Sequence, residues 1–395
     1  MIPKEKVQKG KMPSVIRENF EYAKNRKKEI GDDKVFDFTI GNPFVEPPKV
    51  VNDALNKLVN EKNSTSVHGY TSNIGDPDAR EAVANFLNKK YNANLNKDLV
   101  MLTCGAAAAI CISLNAILND NEEVILFSPF FSDYVPYIEG ARGKIVISVC
   151  DDDTCYPNIN DLKYKITNKT RVLIINSPNN PTGAIYPTNI LKDINTILRE
   201  KEKEYNTTIY TISDEPYREI VYDNKETPYT ANFIDNTISC YSFSKSLSLP
   251  GERIGYIAVH ENVKDKEDLF TSMTYAMKYL GYVCAPSIFQ KMIIDVMGNT
   301  SDLSIYKENR ELLYNMLKEL GFETIYPEGA FYLFMKSPDT DANAFCEMAK
   351  KYELIFVRGD EFGNKNYVRL AYCVDKKVIE NSKEAFSKLA KVYFK

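Results

Sequence analysis

The sequence predicts an α/β protein with two domains. In the large one, helices cover both faces of a mainly parallel, seven-stranded sheet, and the smaller one is α+β. Two observations support this prediction. Short apolar runs alternate with amphipathic helical stretches through the middle of the chain, which is typical of a parallel sheet. After about residue 300 this alternation gives way to a long helix and a mixture of short strands and helices.

The elements of the large domain follow from composition and apolar spacing. Strand-like runs are rich in Val, Ile and Leu and are bounded by turn-forming residues, whereas the helical stretches have apolar residues three and four positions apart. The predicted strands are 99–103, 123–128, 144–149, 171–176, 208–213, 237–241 and 254–259, and the helices between them include 78–91, 105–118 and 187–205.

The C-terminal region predicts the smaller domain. A long amphipathic helix ends at Gly321, where a glycine is a common stop signal. The expected elements are helices at 301–320, 341–351 and 376–392 and strands at 330–334 and 368–372.

Composition excludes several classes of protein. With 395 residues, 44% hydrophobic and 26% charged, the chain has the composition of a soluble globular protein. Its formal charge of −4 gives no reason to expect a nucleic acid or a membrane as partner. No apolar run has the length of a membrane span and no signal peptide is recognisable, so a cytoplasmic location is expected. The eight cysteines form no C-x-x-C pair and only two histidines exist, so no metal site is predicted.

Lys245 has the most informative surroundings. It lies in the segment SFSKSLSLPGERIG, residues 242–255, between Ser242, Ser244 and the later Arg253. A lysine among hydroxyls, with an arginine nearby, suits an amine that forms a Schiff base next to a phosphate. On its own, the segment is also compatible with a polar surface loop.

Two strand ends carry further polar residues. Asp214 ends an apolar run and precedes Tyr217, and the run before it leads into Asn180 within NNPTG. Carboxyl ends of parallel strands face the crevice in which open α/β sheets bind ligands. Each segment alone would pass for an ordinary turn. A third strand leads into Gly105 and an alanine-rich helix, whose first N–H groups form an anion site.

Together, NNPTG, SDEPY and SFSKSLSLPGERIG, in this order, resemble the class I/II aminotransferases that depend on pyridoxal phosphate and have fold type I, and in particular aspartate aminotransferases. The resemblance covers nearly the whole chain, from about Ser14 to Arg369. It implies a large cofactor-binding domain of residues 46–300 and a discontinuous small domain of residues 1–45 and 301–395. It also implies that the strand at 254–259 is antiparallel.

The resemblance assigns roles to individual residues. Lys245 would bind the cofactor and move the substrate α-proton, and Asp214 would make the cofactor ring an electron sink. Tyr217 and Asn180 would bond the ring oxygen, and Phe131 would stack on the ring. The remaining cofactor residues are those expected at the phosphate: Gly105, Ala106, Ala107, Ser242, Ser244 and Arg253, with Tyr70 reaching the phosphate of the neighbouring subunit in an obligatory homodimer.

The substrate residues are expected from the same resemblance. Arg369 would grip the α-carboxylate with its planar fork, beside Asn180 and Gly41. No arginine lies in the stretch 271–287, where one subgroup reads a second carboxylate. We therefore assign that role to Arg17 as a hypothesis, against the alternative of an exposed arginine at the start of a helix.

The sequence therefore predicts an aminotransferase that moves an amino group from an amino acid, with aspartate as the first expectation, to a 2-oxo acid, with 2-oxoglutarate expected. A carbon–sulfur β-lyase on the same scaffold would use Lys245 and Asp214 in the same way, and the motifs do not separate the two. A regulatory protein that binds the cofactor without turnover is disfavoured because all the expected catalytic residues are present.

Overall fold

The computed structural model describes residues 2–11 and 14–394. Its strands are β1 Phe36–Asp37, β2 Val100–Thr103, β3 Glu123–Ser128, β4 Lys144–Val149, β5 Thr170–Asn176, β6 Tyr210–Asp214, β7 Thr237–Ser242, β8 Gly255–Val259, β9 Thr324–Ile325, β10 Tyr332–Lys336, β11 Leu354–Ile355, β12 Val357–Arg358 and β13 Tyr367–Ala371.

The α-helices lie between and around these strands. They are α1 Lys4–Lys11, α2 Val15–Ile30, α3 Lys49–Val59, α4 Ser64–His68, α5 Pro77–Tyr91, α6 Gly105–Ile117, α7 Tyr134–Gly140, α8 Ile159–Lys165, α9 Thr188–Tyr205, α10 Phe243–Ser246, α11 Lys266–Tyr279, α12 Ser287–Val296, α13 Ser304–Glu319, α14 Ala342–Lys350 and α15 Lys376–Tyr393. None of the helices in the described ranges is long and apolar enough to cross a membrane.

A seven-stranded sheet forms the centre, in the order β2-β8-β7-β6-β5-β3-β4. Strand β8 runs antiparallel to both of its neighbours, and the other strand pairs are parallel. Almost every residue of β2, β5 and β7 is buried, because helices cover both faces. The predicted α/β class, the seven strands and the antiparallel strand at 254–259 are therefore confirmed.

The strand boundaries differ slightly from the prediction. Residue 99 ends a 3₁₀ turn, so β2 begins at Val100, and β6 is shifted to Tyr210–Asp214. Pairing explains the shift of β6, because its last residue, Asp214, still pairs with Asn176 of β5 and with Cys240 of β7. The carboxyl ends of these three strands therefore lie side by side.

The C-terminal elements surround a second core. A four-stranded sheet of order β12-β13-β10-β9 packs with α13 and α15, and the cluster includes Phe331, Leu370 and Phe386. Phe38 belongs to the same cluster, and β1 pairs with β11 through Phe36 and Leu354. The N-terminal segment thus packs against C-terminal elements. The domain boundaries at 45/46 and 300/301 stay predictions, and residues 1, 12, 13 and 395 of the predicted small domain lie outside the described ranges.

Candidate active site

A cavity of about 990 Å³ opens at the carboxyl ends of β5, β6 and β7. Its wall brings together residues that are far apart in the sequence, from the N-terminal helix to strand β13. Of the predicted site residues, those that line it are Arg17, Gly41, Ala106, Ala107, Phe131, Asn180, Asp214, Tyr217, Ser242, Ser244, Lys245, Arg253 and Arg369. Gly105 lies directly beside the wall as the first residue of α6.

Lys245 projects into the cavity from the one-turn helix α10. Ser242 caps this helix, because its hydroxyl accepts a hydrogen bond from the Ser244 N–H. The Lys245 Nζ donates to the Gly41 carbonyl oxygen at 2.6 Å. Burial, together with the positive charges of Arg369 and Arg253, lowers the pKa of Lys245 to about 8. A usable fraction of this amine is therefore neutral near pH 7 and able to act as a nucleophile or a base.

Asp214 presents an unpaired carboxylate oxygen at the cavity. The side chain is 4% exposed, and its Oδ2 accepts a 2.5 Å hydrogen bond from the Tyr134 hydroxyl. Its Oδ1 is buried and has no hydrogen-bond partner within the described residues. Burial raises the pKa of Asp214 to about 7, with a further increase from Glu215, while Tyr134 opposes the shift. A buried acceptor of this kind fits the protonated ring nitrogen of a pyridine cofactor.

Asp214 gives the cofactor-free protein a pH dependence that can be measured. The pKa of Asp214 is raised from 3.8 to about 7 in the folded state. Between these two pH values the folded state therefore keeps a proton on Asp214 that the unfolded state has lost. The cost of ionising Asp214 is absent below about pH 4 and fully present above about pH 7. We expect Asp214→Asn to gain stability relative to the wild type as the pH rises from 5 to 8.

The measurement is urea unfolding of the cofactor-free proteins at both pH values. The exposed Asp193 of α9 provides the control, since Asp193→Asn is expected to follow the wild type at each pH. A difference between Asp214→Asn and wild type that does not change with pH would contradict the prediction.

An anion cradle forms at the start of α6. Gly105 has φ +79°, and a Cβ there would come within 2.9 Å of the Arg253 Nη2. Arg253 is held in place by bonds from its guanidinium to the carbonyls of Pro250 and Cys104. The hydroxyls of Ser242 and Ser244 lie 2.7 Å apart on the same wall. Helix N–H groups, hydroxyls and a guanidinium suit a phosphate.

Arg369 supplies a second cation, deep in the cavity. It is 2% exposed, and its Nη1 donates to the Asn180 Oδ1 at 3.0 Å while its Nη2 donates to the Thr39 carbonyl at 2.6 Å. Its buried Nε has no partner within the described ranges. Burial lowers the pKa of Arg369, so an anionic ligand would stabilise its charge. Asn180 and Arg369 are thus oriented together for a carboxylate.

Arg17 and Tyr70 have different surroundings from the other predicted residues. Arg17 lies in the first turn of α2 at the cavity wall, is exposed, and forms no ion pair with a described carboxylate. Tyr70 is 94% exposed and does not line the cavity of its own chain. The structure of one chain therefore brings Arg17, but not Tyr70, to the site.

Three residues that contribute to the site carry no role in the sequence prediction. Tyr134 contacts Asp214, and Asn176 donates to the Asp214 carbonyl and accepts from the Asn180 N–H. Tyr332 of β10 contacts the Tyr217 hydroxyl. Asn176 could have been predicted as a site residue, because it lies at the end of a predicted strand. For Tyr332 no local signal exists, because its contact lies 115 residues away.

The fold and the cavity are those expected of an α/β enzyme of the pyridoxal-phosphate type, with a partly buried lysine and a carboxylate that has one unpaired oxygen in the same cavity. Residues 33–386 match the family described as aminotransferase class I and II. The chain belongs to this family, whose members depend on pyridoxal phosphate, and it is an aminotransferase. The predicted family and enzyme class are confirmed.

Individual relatives agree with this assignment. The probable aspartate aminotransferase of Methanocaldococcus jannaschii is 32% identical over 94% of this chain and 95% of its own. The aspartate aminotransferase of Pyrococcus abyssi is 30% identical, with 96% and 95% covered. The crystal structure of an amino transferase from Eubacterium rectale is 44% identical, covers 100% of both chains and has a TM-score of 0.98.

Proposed function

We propose that this aminotransferase takes the amino group of aspartate and passes it to 2-oxoglutarate, with pyridoxal 5′-phosphate bound at Lys245. The observation that carries the proposal is the pairing of a lysine of lowered pKa with the unpaired Oδ1 of Asp214 in one cavity. The names of the Methanocaldococcus and Pyrococcus relatives support aspartate as the donor.

The bound cofactor supplies an electron sink for the bond that is broken at the substrate α-carbon. Asp214 would hold a proton at the ring nitrogen, and Tyr217 and Asn180 would donate to the ring oxygen. Phe131 would pack against the ring face. The residues that would hold the phosphate are Gly105, Ala106, Ala107, Ser242, Ser244 and Arg253.

Lys245 moves the substrate proton. Its Nζ is neutral in part near pH 7, because its pKa is about 8. The Gly41 carbonyl, 2.6 Å away, accepts from Nζ and orients it over the cavity. A positioned amine of this kind would take the substrate α-proton as a general base and then give it up as a general acid.

The substrate is held at both ends. Arg369 and Asn180 bind the α-carboxylate, with the backbone of Gly41 beside it. Arg17 binds the side-chain carboxylate at the outer wall, which is otherwise formed in part by the apolar Ile16 and Phe20 of the same helix. This arrangement favours aspartate and glutamate over alanine.

The substitution Arg17→Ala tests the acidic-side-chain site. We expect kcat/KM for aspartate to fall about tenfold, the size of one charge-assisted hydrogen bond, while kcat/KM for alanine changes little. The measurement is the ratio of the two kcat/KM values. Lys24→Ala, an exposed cation on the same helix, provides the control. An unchanged ratio in Arg17→Ala would show that Arg17 is a surface residue that does not bind the substrate side chain.

We further propose that the enzyme is a homodimer with shared active sites. Tyr70 is 94% exposed, although it is a large aromatic residue, and it lies outside the cavity of its own chain. A second subunit would cover it and receive its hydroxyl at the phosphate. The domain division at residues 45/46 and 300/301 belongs to the same proposal, with the two domains forming opposite walls of the cavity.

The function is tested by following nitrogen from donor to acceptor. The enzyme with bound cofactor is incubated with ¹⁵N-labelled aspartate and 2-oxoglutarate, and the label is located by mass spectrometry. Labelled glutamate with stoichiometric oxaloacetate is the expected result. Pyruvate and ammonia released from cystathionine, without labelled glutamate, would replace the proposal by a carbon–sulfur lyase.

A further inference from the structure

Tyr332 lies where the elements of the active site meet, and its hydroxyl has no assigned role. It belongs to strand β10, is 3% exposed and lines the cavity. Its hydroxyl oxygen is 3.0 Å from that of Tyr217, which is also buried. The two rings pack edge to face, with centroids 5.7 Å apart. The contact joins the turn after β6 to the sheet of the C-terminal region.

Further contacts fix the position of the Tyr332 hydroxyl. A Cβ at Gly41 would overlap it, so the hydroxyl rests directly on the Gly41 backbone, whose carbonyl accepts from Lys245. On the other side, the Arg369 guanidinium lies 4.5 Å from the centre of the Tyr332 ring. The Tyr332 side chain is thus held between Gly41 and Arg369 and has little freedom to rotate away from Tyr217.

Charged and titratable groups surround the hydroxyl pair. Tyr332 faces Arg369, Cys373 and Tyr217, while Tyr217 also faces Asp214. Burial raises the pKa of both tyrosines, that of Tyr332 to about 12, and the Arg369 charge opposes the rise at each of them. In the proposed function Tyr217 gives its one proton to the ring oxygen, so in this pair Tyr332 donates and Tyr217 accepts.

We propose that Tyr332 is a positioning residue of the transamination site, which donates to Tyr217 and so directs the Tyr217 proton at the ring oxygen of the cofactor. The inference rests on the proposed function, in which Tyr217 bonds that oxygen. A tyrosine hydroxyl carries one proton and accepts through its lone pairs. With its lone pair engaged by Tyr332, Tyr217 has a fixed orientation and becomes a stronger donor, since chains of hydrogen bonds reinforce one another.

The hydrogen bond from Tyr332 should affect the visible absorption of the bound cofactor. Donation to the ring oxygen stabilises its negative charge, so the nitrogen that joins Lys245 to the cofactor loses its proton at lower pH. In Tyr332→Phe the midpoint pH of the cofactor's visible absorption change is expected to rise by about 0.5 to 1 unit, the equivalent of one ordinary hydrogen bond. Tyr217→Phe should raise it further, and adding Tyr332→Phe to that variant should change nothing more.

The experiment titrates the visible absorption of the cofactor-loaded variants and compares kcat with KM for aspartate. Tyr372→Phe is the control, because Tyr372 belongs to the same core and its hydroxyl bonds the Ala330 carbonyl outside the cavity. Its midpoint should equal that of the wild type. A second variant carries 3-fluorotyrosine at position 332, which keeps the fold, strengthens the donor and should lower the midpoint.

The outcomes distinguish a failure of the proposed function from a failure of the role of Tyr332. A wild-type protein without a titratable cofactor band or a response to aspartate would overturn the proposed function itself. A normal wild type, with an unchanged midpoint in Tyr332→Phe or an unchanged midpoint with fluorotyrosine, would overturn only the role of Tyr332. A rise that is equally large in Tyr372→Phe would also overturn it, because the effect would then be general loosening of the core.

Discussion

Replacement of Lys245 by alanine is expected to lower kcat for aspartate by at least about 10⁴-fold, the upper range for the loss of a general acid–base group. The physical reason is that the Nζ has two proposed tasks, covalent attachment of the cofactor and proton transfer. Its lowered pKa of about 8 and its 2.6 Å contact with the Gly41 carbonyl prepare it for both. Remaining residues of the cradle should still bind the cofactor without a covalent bond.

The measurement pairs kinetics with mass spectrometry after borohydride reduction. The wild type should gain the mass of one cofactor, located on the peptide that contains Lys245, and the alanine variant should gain none. Lys264→Ala, which removes an exposed amine far from the cavity, should behave as the wild type. An active Lys245→Ala protein, or a cofactor adduct on another lysine, would contradict the assignment.

The substitution Asp214→Asn is expected to have the second largest effect, a loss in kcat of at least about 10²-fold. Opposite charges in close contact shift a pKa by one to three units, so removal of the carboxylate leaves the ring nitrogen unprotonated at neutral pH. The shape of the side chain is retained, and its Oδ can still accept from Tyr134. The loss would therefore arise from charge rather than from a cavity.

Asp214→Glu provides the comparison, because it keeps the charge at a changed distance. Steady-state kinetics should rank wild type, Asp214→Glu and Asp214→Asn in falling order of kcat. The absorption spectrum of the bound cofactor should change most in Asp214→Asn. If Asp214→Asn matched the wild type in kcat, the unpaired Oδ1 would have no part in activating the cofactor.

The parts of the fold that depend on local pattern could be predicted from the sequence. All seven strands of the central sheet were located, because buried parallel strands are nearly continuous apolar runs. That Lys245, Asp214 and Asn180 line one cavity could be predicted for a similar reason. Asp214 ends β6, whereas Asn180 and Lys245 follow β5 and β7, and the ends of these three strands lie next to one another in the sheet.

The parts that depend on contacts between distant segments could not be predicted. Tyr332 reaches Tyr217 across 115 residues, and nothing in its own strand distinguishes it from a core aromatic. Tyr134 lies three residues after Phe131, but which of the two faces Asp214 is decided by the turn that leads into α7. Such choices are made by packing and by the satisfaction of buried polar groups.

We propose that the residues around Lys245 carry out an amino-group transfer that stores the nitrogen on the cofactor. The most direct test is the visible absorption of the cofactor-loaded protein while aspartate is added without any oxo acid. The band of bound pyridoxal phosphate is expected to convert to that of pyridoxamine phosphate, and 2-oxoglutarate is expected to restore it. A band that persists with aspartate and glutamate, while pyruvate accumulates from cystathionine, would contradict this proposal.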